Sequence, residues 1–155
     1  MSALAFFSSP LGWLRVEAGA QGLRLVRFAG VPSDEERGAG WRFVEEFFDF
    51  AEAYFAGSQN PYPGRLDLSA ASSRQRRLWL QTMQIPYGRT LSYAALGKLL
   101  DMHPRSVGAG MRAAPLLLVI PAQRVIYADG GIGGFAGREG AKAWLLQFEK
   151  RNLRV

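Results

Sequence analysis

A chain of 155 residues has room for one or two small domains, and a hydrophobic content of 48% supports a real core, which excludes disorder. There is no cysteine and a single histidine, His103, so disulfide and thiolate chemistry and the usual zinc sites are excluded, and no apolar run approaches the roughly 20 residues of a membrane span. The net charge of +6 is uneven: residues 1–70 carry 6 Arg against 9 acidic residues, whereas residues 71–155 carry 13 Lys and Arg against 4 acidic ones, which leaves the second half with either a basic solvated surface or a phosphate-binding face.

In chain order, "LAFFS", "GWLRVEA" and "GLRLVRFA" read as three short strands. "SSPLG" and "GAQG" supply the turns between them, so the natural arrangement is an antiparallel meander. "GWRFVEEFFDFAEAYFAG" places Trp41, Val44, Phe47, Phe48, Ala51, Tyr54 and Phe55 at helical spacing and stops at Gly57. This aromatic stripe is core. "GSQNPYPGRLDLSAASS", residues 57–73, has the Gly, Pro, Ser and Asn content of a linker. The expected division is thus 1–70 and 71–155, with no chemistry in the first part.

The second part reads as helical. "SRQRRLWLQTMQ" is a short helix, basic early and apolar late, and "IPYGRT" is a turn. "LSYAALGKLLD" repeats apolar residues at Leu91, Ala94, Ala95, Leu99 and Leu100 after a polar start at Ser92. "PRSVGAGMRAA" opens with Pro104, a good first helical residue. Two helices joined by a few residues form a helix-turn-helix pattern. The second carries Gly108, Ala109 and Gly110 in its middle, where each glycine costs about 1 kcal/mol against alanine. Close approach of another backbone repays such a cost. That backbone is either the protein's own core or, for a helix flanked by Arg105 and Arg112, DNA. Side chains this small cannot read base edges in the major groove. A slim helix suits the minor groove and a protein that reads shape and backbone. After an apolar run come "PAQRV" and the glycine-rich "GGIGGFAG", the wall of a pocket built around an alanine.

"IPYGRTLSYAALGKLL", "PRSVGAGMRAAP", "LLLVIPAQRVI", "GGIGGFAG" and "AKAWLLQFE" together resemble the successive motifs of the O6-alkylguanine-DNA alkyltransferase family, in order and spacing, through nearly all of 75–150. The first half is similar only in its strand-and-helix plan. The resemblance implies an α+β chain: a small antiparallel sheet with a helix, followed by a winged-helix-like DNA-binding domain. It implies that Tyr93 crowds the target phosphate and helps rotate the nucleotide. Arg105 matches the arginine that fills the gap left by the flipped base. Ser106, Gly108, Ala109, Arg112 and Arg124 complete the expected DNA-binding set. Pro121, Ala122, Val125, Gly133, Gly134, Phe135 and Ala136, with Tyr93, match the pocket that receives the base. Glu149 matches the end of the family's hydrogen-bond relay.

The departures from the family pattern decide the expected activity. Ala122 stands where the active enzymes carry the cysteine that takes the alkyl group, and Gln123 replaces their histidine base. An amide has no pKa near neutrality with which to act as a base. Ala114 stands in place of an asparagine, and Phe135 in place of a tyrosine. The sequence therefore resembles the alkyltransferase-like proteins, which bind alkylated guanine without repairing it. The implied partners are double-stranded DNA containing O6-alkylguanine and nucleotide excision repair proteins. No cofactor, metal or membrane is implied, and a monomer in the cytoplasm, on the nucleoid when bound to DNA, is expected; the N-terminus does not read as a signal peptide. Two other readings share these residues: an alkyltransferase whose cysteine was mutated at 122, and a minor-groove DNA-binding protein with no lesion preference.

Overall fold

The computed structural model describes residues 1–135 and 138–153, and the chain divides into two compact units. The first comprises 1–70 with 115–119, and the second 71–114 with 120–155. Among the described residues no helix is long and apolar enough to cross a membrane.

In the first unit, strands β1 (Ala3–Ser9), β2 (Gly12–Gly19) and β3 (Gly22–Phe28) form the expected meander. Gly12 and Gly22 hold positive φ at the two turns, conformations that L side chains resist. Ser9 Oγ accepts from Leu11 N (3.1 Å) and donates to Gly12 O (2.7 Å), which fixes the first turn. A fourth strand, β4 (Glu36–Arg37), pairs with the outer edge of β1, giving the order β3-β2-β1-β4. The sequence pattern does not reveal it, because two charged residues show no alternation. Helix α1 (Trp41–Phe55) buries Phe43, Val44, Phe47, Ala51 and Tyr54, so the core stripe runs through Phe43 rather than Trp41. Phe7 of β1 meets Phe47 and Phe48 edge-on. Much of the stretch expected to be a linker is packed down. Tyr62 is buried against Phe47 and Phe50, and Leu66 bridges to Leu23. The other edge of β3 is closed by the segment 115–119: Val26 N donates to Pro115 O (2.8 Å) and Leu117 N to Val26 O (3.0 Å). The apolar run there is an irregular connection, with Leu118 at φ 71.

The second unit contains α2 (Ser73–Thr82), β5 (Leu91–Ser92), α3 (Tyr93–Leu100), α4 (Pro104–Ala113), a 3₁₀ turn at Ala122–Arg124, β6 (Val125–Ile126) and α5 (Glu139–Asn152). Ser72 and Gln75 form a reciprocal capping box at the start of α2. Helices α3 and α4 make the helix-turn-helix, with Asp101 in the left-handed region at the turn. His103 caps α4, its Nδ1 accepting from Arg105 N (3.0 Å). The buried face of α3 is Tyr93, Leu96, Gly97 and Leu100. Leu99, expected on the apolar repeat, is exposed. Strands β5 and β6 pair in parallel, which brings the start of α3 beside the 3₁₀ turn.

Candidate functional site

The site begins with the carboxylate of Glu149 on α5, 1% exposed. It accepts from Arg124 Nε (2.9 Å) and Nη2 (3.2 Å), from Gln123 Nε2 (3.1 Å) and from Gly88 N (3.0 Å). Arg124 Nη1 also donates to Ile85 O (2.9 Å), and its guanidinium lies over the ring of Tyr87. A buried charge pair is tolerable only when its remaining donors and acceptors are matched in this way. The network ties the turn after α2, the 3₁₀ turn and α5 into one frame. Gln123 has no exposed surface. Its amide nitrogen must face the carboxylate, so its Oε1 points away and meets no donor among the described residues.

That frame sets the other pocket residues. Pro121, Val125 and Phe135 are buried, and Ala122 is half-buried at the start of the turn. Ala114 is half-buried at the end of α4. Gly133 adopts φ +76, and a Cβ there would stand 2.7 Å from Tyr93 Oη, so only glycine lets this loop lie against the tyrosine. Ala136 lies outside the described residues.

A cleft of ≈ 440 Å³ opens beside this frame, within the size range of small-ligand pockets. Of the residues expected on the DNA side, Tyr93, Arg105, Gly108 and Arg112 line it, as does Gly134 of the expected pocket set. Tyr127 lines it too. Arg105 and Arg112 are exposed and form no ion pair among the described residues. Ser106 and Ala109 lie elsewhere, in a groove between α2 and α4 with Arg74 and Gln75.

The two odd glycines of α4 separate in role. A Cβ at Gly110 would come 2.2 Å from Leu78 Cδ2, and Gly110 O accepts from Trp79 Nε1 (2.9 Å). Gly110 is therefore small so that α2 can pack on it. Gly108 meets nothing closer than Arg112 Nη1 at 3.7 Å and borders the cleft. Only the latter leaves room for an outside backbone.

Lys142, missed in the sequence, is the main addition. It is 1% exposed, and its Nζ donates to Val125 O (2.7 Å) and Tyr93 Oη (3.2 Å). Burial lowers its pKa from 10.5 to about 8. The phenol of Tyr93 is shifted up by burial and by Tyr127, partly opposed by Arg112. A signal was present: Lys142, Leu145 and Glu149 share one face of α5 by helical spacing, and a lysine on such a face needs a partner. Between pH 8 and 10.5 the unfolded chain binds the lysine proton more than the folded one does. Stability should therefore rise with pH from about 8 until the tyrosines ionise above 10. Urea midpoints at pH 7, 8, 9 and 10 should climb in the wild type and stay flatter in Lys142→Met; equal profiles would remove the buried cation from this account.

Among the described residues, no three His, Cys, Asp or Glu side chains gather as a metal site. The cleft thus offers two cations and an aromatic wall, and Ala122, which does not line it, carries no nucleophile.

Residues 73–151 match the family model described as the DNA binding domain of 6-O-methylguanine DNA methyltransferase. A protein of Thermus thermophilus named DNA base-flipping protein is 45% identical over 143 residues, covering 91% of this chain and 95% of its own. The crystal structure of Mycobacterium tuberculosis O6-methylguanine methyltransferase superposes with a TM-score of 0.82 at 28% identity, covering 98% of this chain and 94% of that one. The M. tuberculosis OGT in complex with DNA gives a TM-score of 0.82 at 27% identity, covering 95% and 92%.

Proposed function

Since the chain belongs to the 6-O-methylguanine DNA methyltransferase family yet contains no cysteine, we propose that it is a non-enzymatic sensor of O6-alkylguanine in DNA. The observation that carries this reading is Ala122 beside a hydrogen-bonded frame of Gln123, Arg124 and Glu149. The Glu149 carboxylate, Arg124 and the half-buried turn are all held in place. Transfer of an alkyl group to cysteine has no acceptor in this chain.

Binding alone is a sufficient use for such a pocket. A guanine alkylated at O6 pairs poorly, so extruding it costs less than extruding an intact base. In this reading the apolar methyl of Ala122 faces the alkyl group, whose burial contributes about 0.8 kcal/mol per CH₂. In this reading Tyr93, which lines the cleft, crowds the rotating nucleotide, and Arg105, on the first turn of α4, fills the gap in the stack. Helix α4 with its open Gly108 enters the minor groove in this reading, and Arg112 takes phosphate. Without transfer the complex persists reversibly. The protein then acts as a monomer in the cytoplasm, on DNA, and marks the lesion for nucleotide excision repair factors.

The test is binding to matched duplexes with and without one O6-methylguanine at stated salt. Tighter binding to the lesion supports the sensor; equal affinity selects a lesion-independent minor-groove protein instead. Arg105→Ala should weaken binding to a duplex lesion more than to the same lesion in a single strand, where there is no hole to fill. Equal losses on both substrates would reduce Arg105 to a phosphate contact.

A further inference from the structure

We propose that Tyr127 is a base-stacking residue whose ring, with that of Tyr93, forms an aromatic corner for the face of the extruded guanine. The proposal rests on the sensor reading above.

Tyr127 follows β6 and is 54% exposed, unusual for a large ring in a cleft that also holds two cations. Its centroid lies 5.0 Å from that of Tyr93, with the planes tilted by 53°. A flat ring laid on the exposed Tyr127 therefore meets Tyr93, 7% exposed, at a tilt and not as the face-to-face sandwich that aromatic groups disfavour. Gly131 and Gly133 lie beside the Tyr127 ring and leave it space that a side chain would take. A Cβ at Gly133 would stand 3.3 Å from its Cε2, and one at Gly131 3.5 Å from its Cδ2.

The turn that carries the ring is pinned. Tyr127 N donates to Gly131 O (2.7 Å), Gly130 N to Tyr127 O (3.0 Å), and Gly131 N to Asp129 Oδ1 (2.9 Å). An exposed ring on a fixed turn loses little conformational freedom when it binds. The uncharged ring adds nothing for phosphate, the role given above to Arg112 of the same cleft. It suits a nucleobase, since every base has a π face and stacking is indifferent to the substituent at O6. Tyr127 thus accounts for affinity to the flipped base itself, separately from the contact with the alkyl group that the sensor reading assigns to Ala122.

The experiment measures Kd by fluorescence anisotropy on a duplex with one O6-methylguanine and on its unmodified counterpart, at fixed salt. The proteins are the wild type, Tyr127→Leu, Tyr127→Phe and Tyr127→Trp. Tyr127→Leu should raise Kd for the lesion about tenfold, the worth of one base–aromatic stack, and leave the unmodified duplex within about twofold. Tyr127→Phe and Tyr127→Trp should stay within about threefold of wild type, because both keep a π face. A Tyr127→Leu protein that keeps the wild-type lesion preference overturns the proposal alone. So does an equal loss on both duplexes, which makes the ring a backbone contact, or a Tyr127→Phe loss as large as that of Tyr127→Leu, which makes the hydroxyl the active group. Equal wild-type affinity for the two duplexes overturns the sensor reading and this proposal with it.

Discussion

An Ala122→Cys, Gln123→His double variant is expected to gain one methyl group from O6-methylguanine DNA, whereas the wild-type protein gains none. The thiol would stand at the half-buried start of the 3₁₀ turn. A free cysteine has a pKa near 8.5 and is mostly neutral at pH 7, so Ala122→Cys alone lacks a way to shed its proton. The Gln123 amide cannot take that proton, but a histidine there can, because Glu149 Oε2 lies 3.1 Å from the present amide nitrogen and would hold the ring in one tautomer. As the S–CH₃ bond forms and the C–O6 bond breaks, the thiol proton passes to the introduced imidazole and the guanine leaves unmethylated. General-base help of this kind contributes about 10²-fold or more, so the double variant should outpace the single one by at least that factor. Ala114 and Phe135 supply no polar support, which keeps it below a natural enzyme. Intact-protein mass spectrometry after incubation with the lesion reads the result. A double variant that binds the lesion and never gains the mass would falsify the placement of Ala122 against the alkyl carbon.

The largest effect on stability is expected at Glu149. Glu149→Gln removes the negative charge from a site where Arg124 Nε approaches to 2.9 Å and the Arg124 side chain is only 12% exposed. An uncompensated buried cation costs about 3–5 kcal/mol. For a chain of this size that is a fall in melting temperature on the order of 10 °C. Adding Arg124→Met should recover part of the loss, since removing both charges costs less than stranding one. The one amide oxygen left by Glu149→Gln can still accept, but the amide nitrogen then faces either Gly88 N or Gln123 Nε2, donor against donor, so recovery stays incomplete. Calorimetry at pH 7 checks both; a Glu149→Gln melting point within about 2 °C of wild type would mean that water, not the carboxylate, satisfies Arg124.

The elements most legible in the sequence were those with local causes. Turn residues at Gly12 and Gly22 marked the meander, the aromatic stripe marked α1, and Pro104 marked the start of α4. What escaped was decided at a distance. Residues 57–73 have the composition of a linker, yet Tyr62 and Leu66 find apolar neighbours and the segment lies down. The face of α3 was misplaced by Leu99 because single-residue hydrophobicity cannot tell a buried leucine from an exposed one. At the site, the family motifs brought Tyr93, Arg105, Gly108, Arg112 and Gly134 to one cleft. Lys142 shares a helix face with Leu145 and Glu149, a signal that it needs a partner, but which partners it takes, Val125 O and Tyr93 Oη, is decided far along the chain. Tyr127 carried no signal at all, since an aromatic residue in a polar loop has no period to betray it.

The pairing of Val26 with Pro115 and Leu117 also sets an order of events during synthesis. Strand β3 leaves the ribosome early, with the amide and carbonyl of Val26 unpaired, and their partners follow only after α2, α3 and α4 have been made. Until then the Val26 end of that edge stays open, while Leu23 can already pair with Arg65 and Asp67, and an open edge is the feature by which unfinished β-structure recruits neighbouring chains. Arg24 and Arg27, which lie on that strand, put charge along the edge while it waits. The last few residues to join the first unit are thus also the ones that close what remains of that edge.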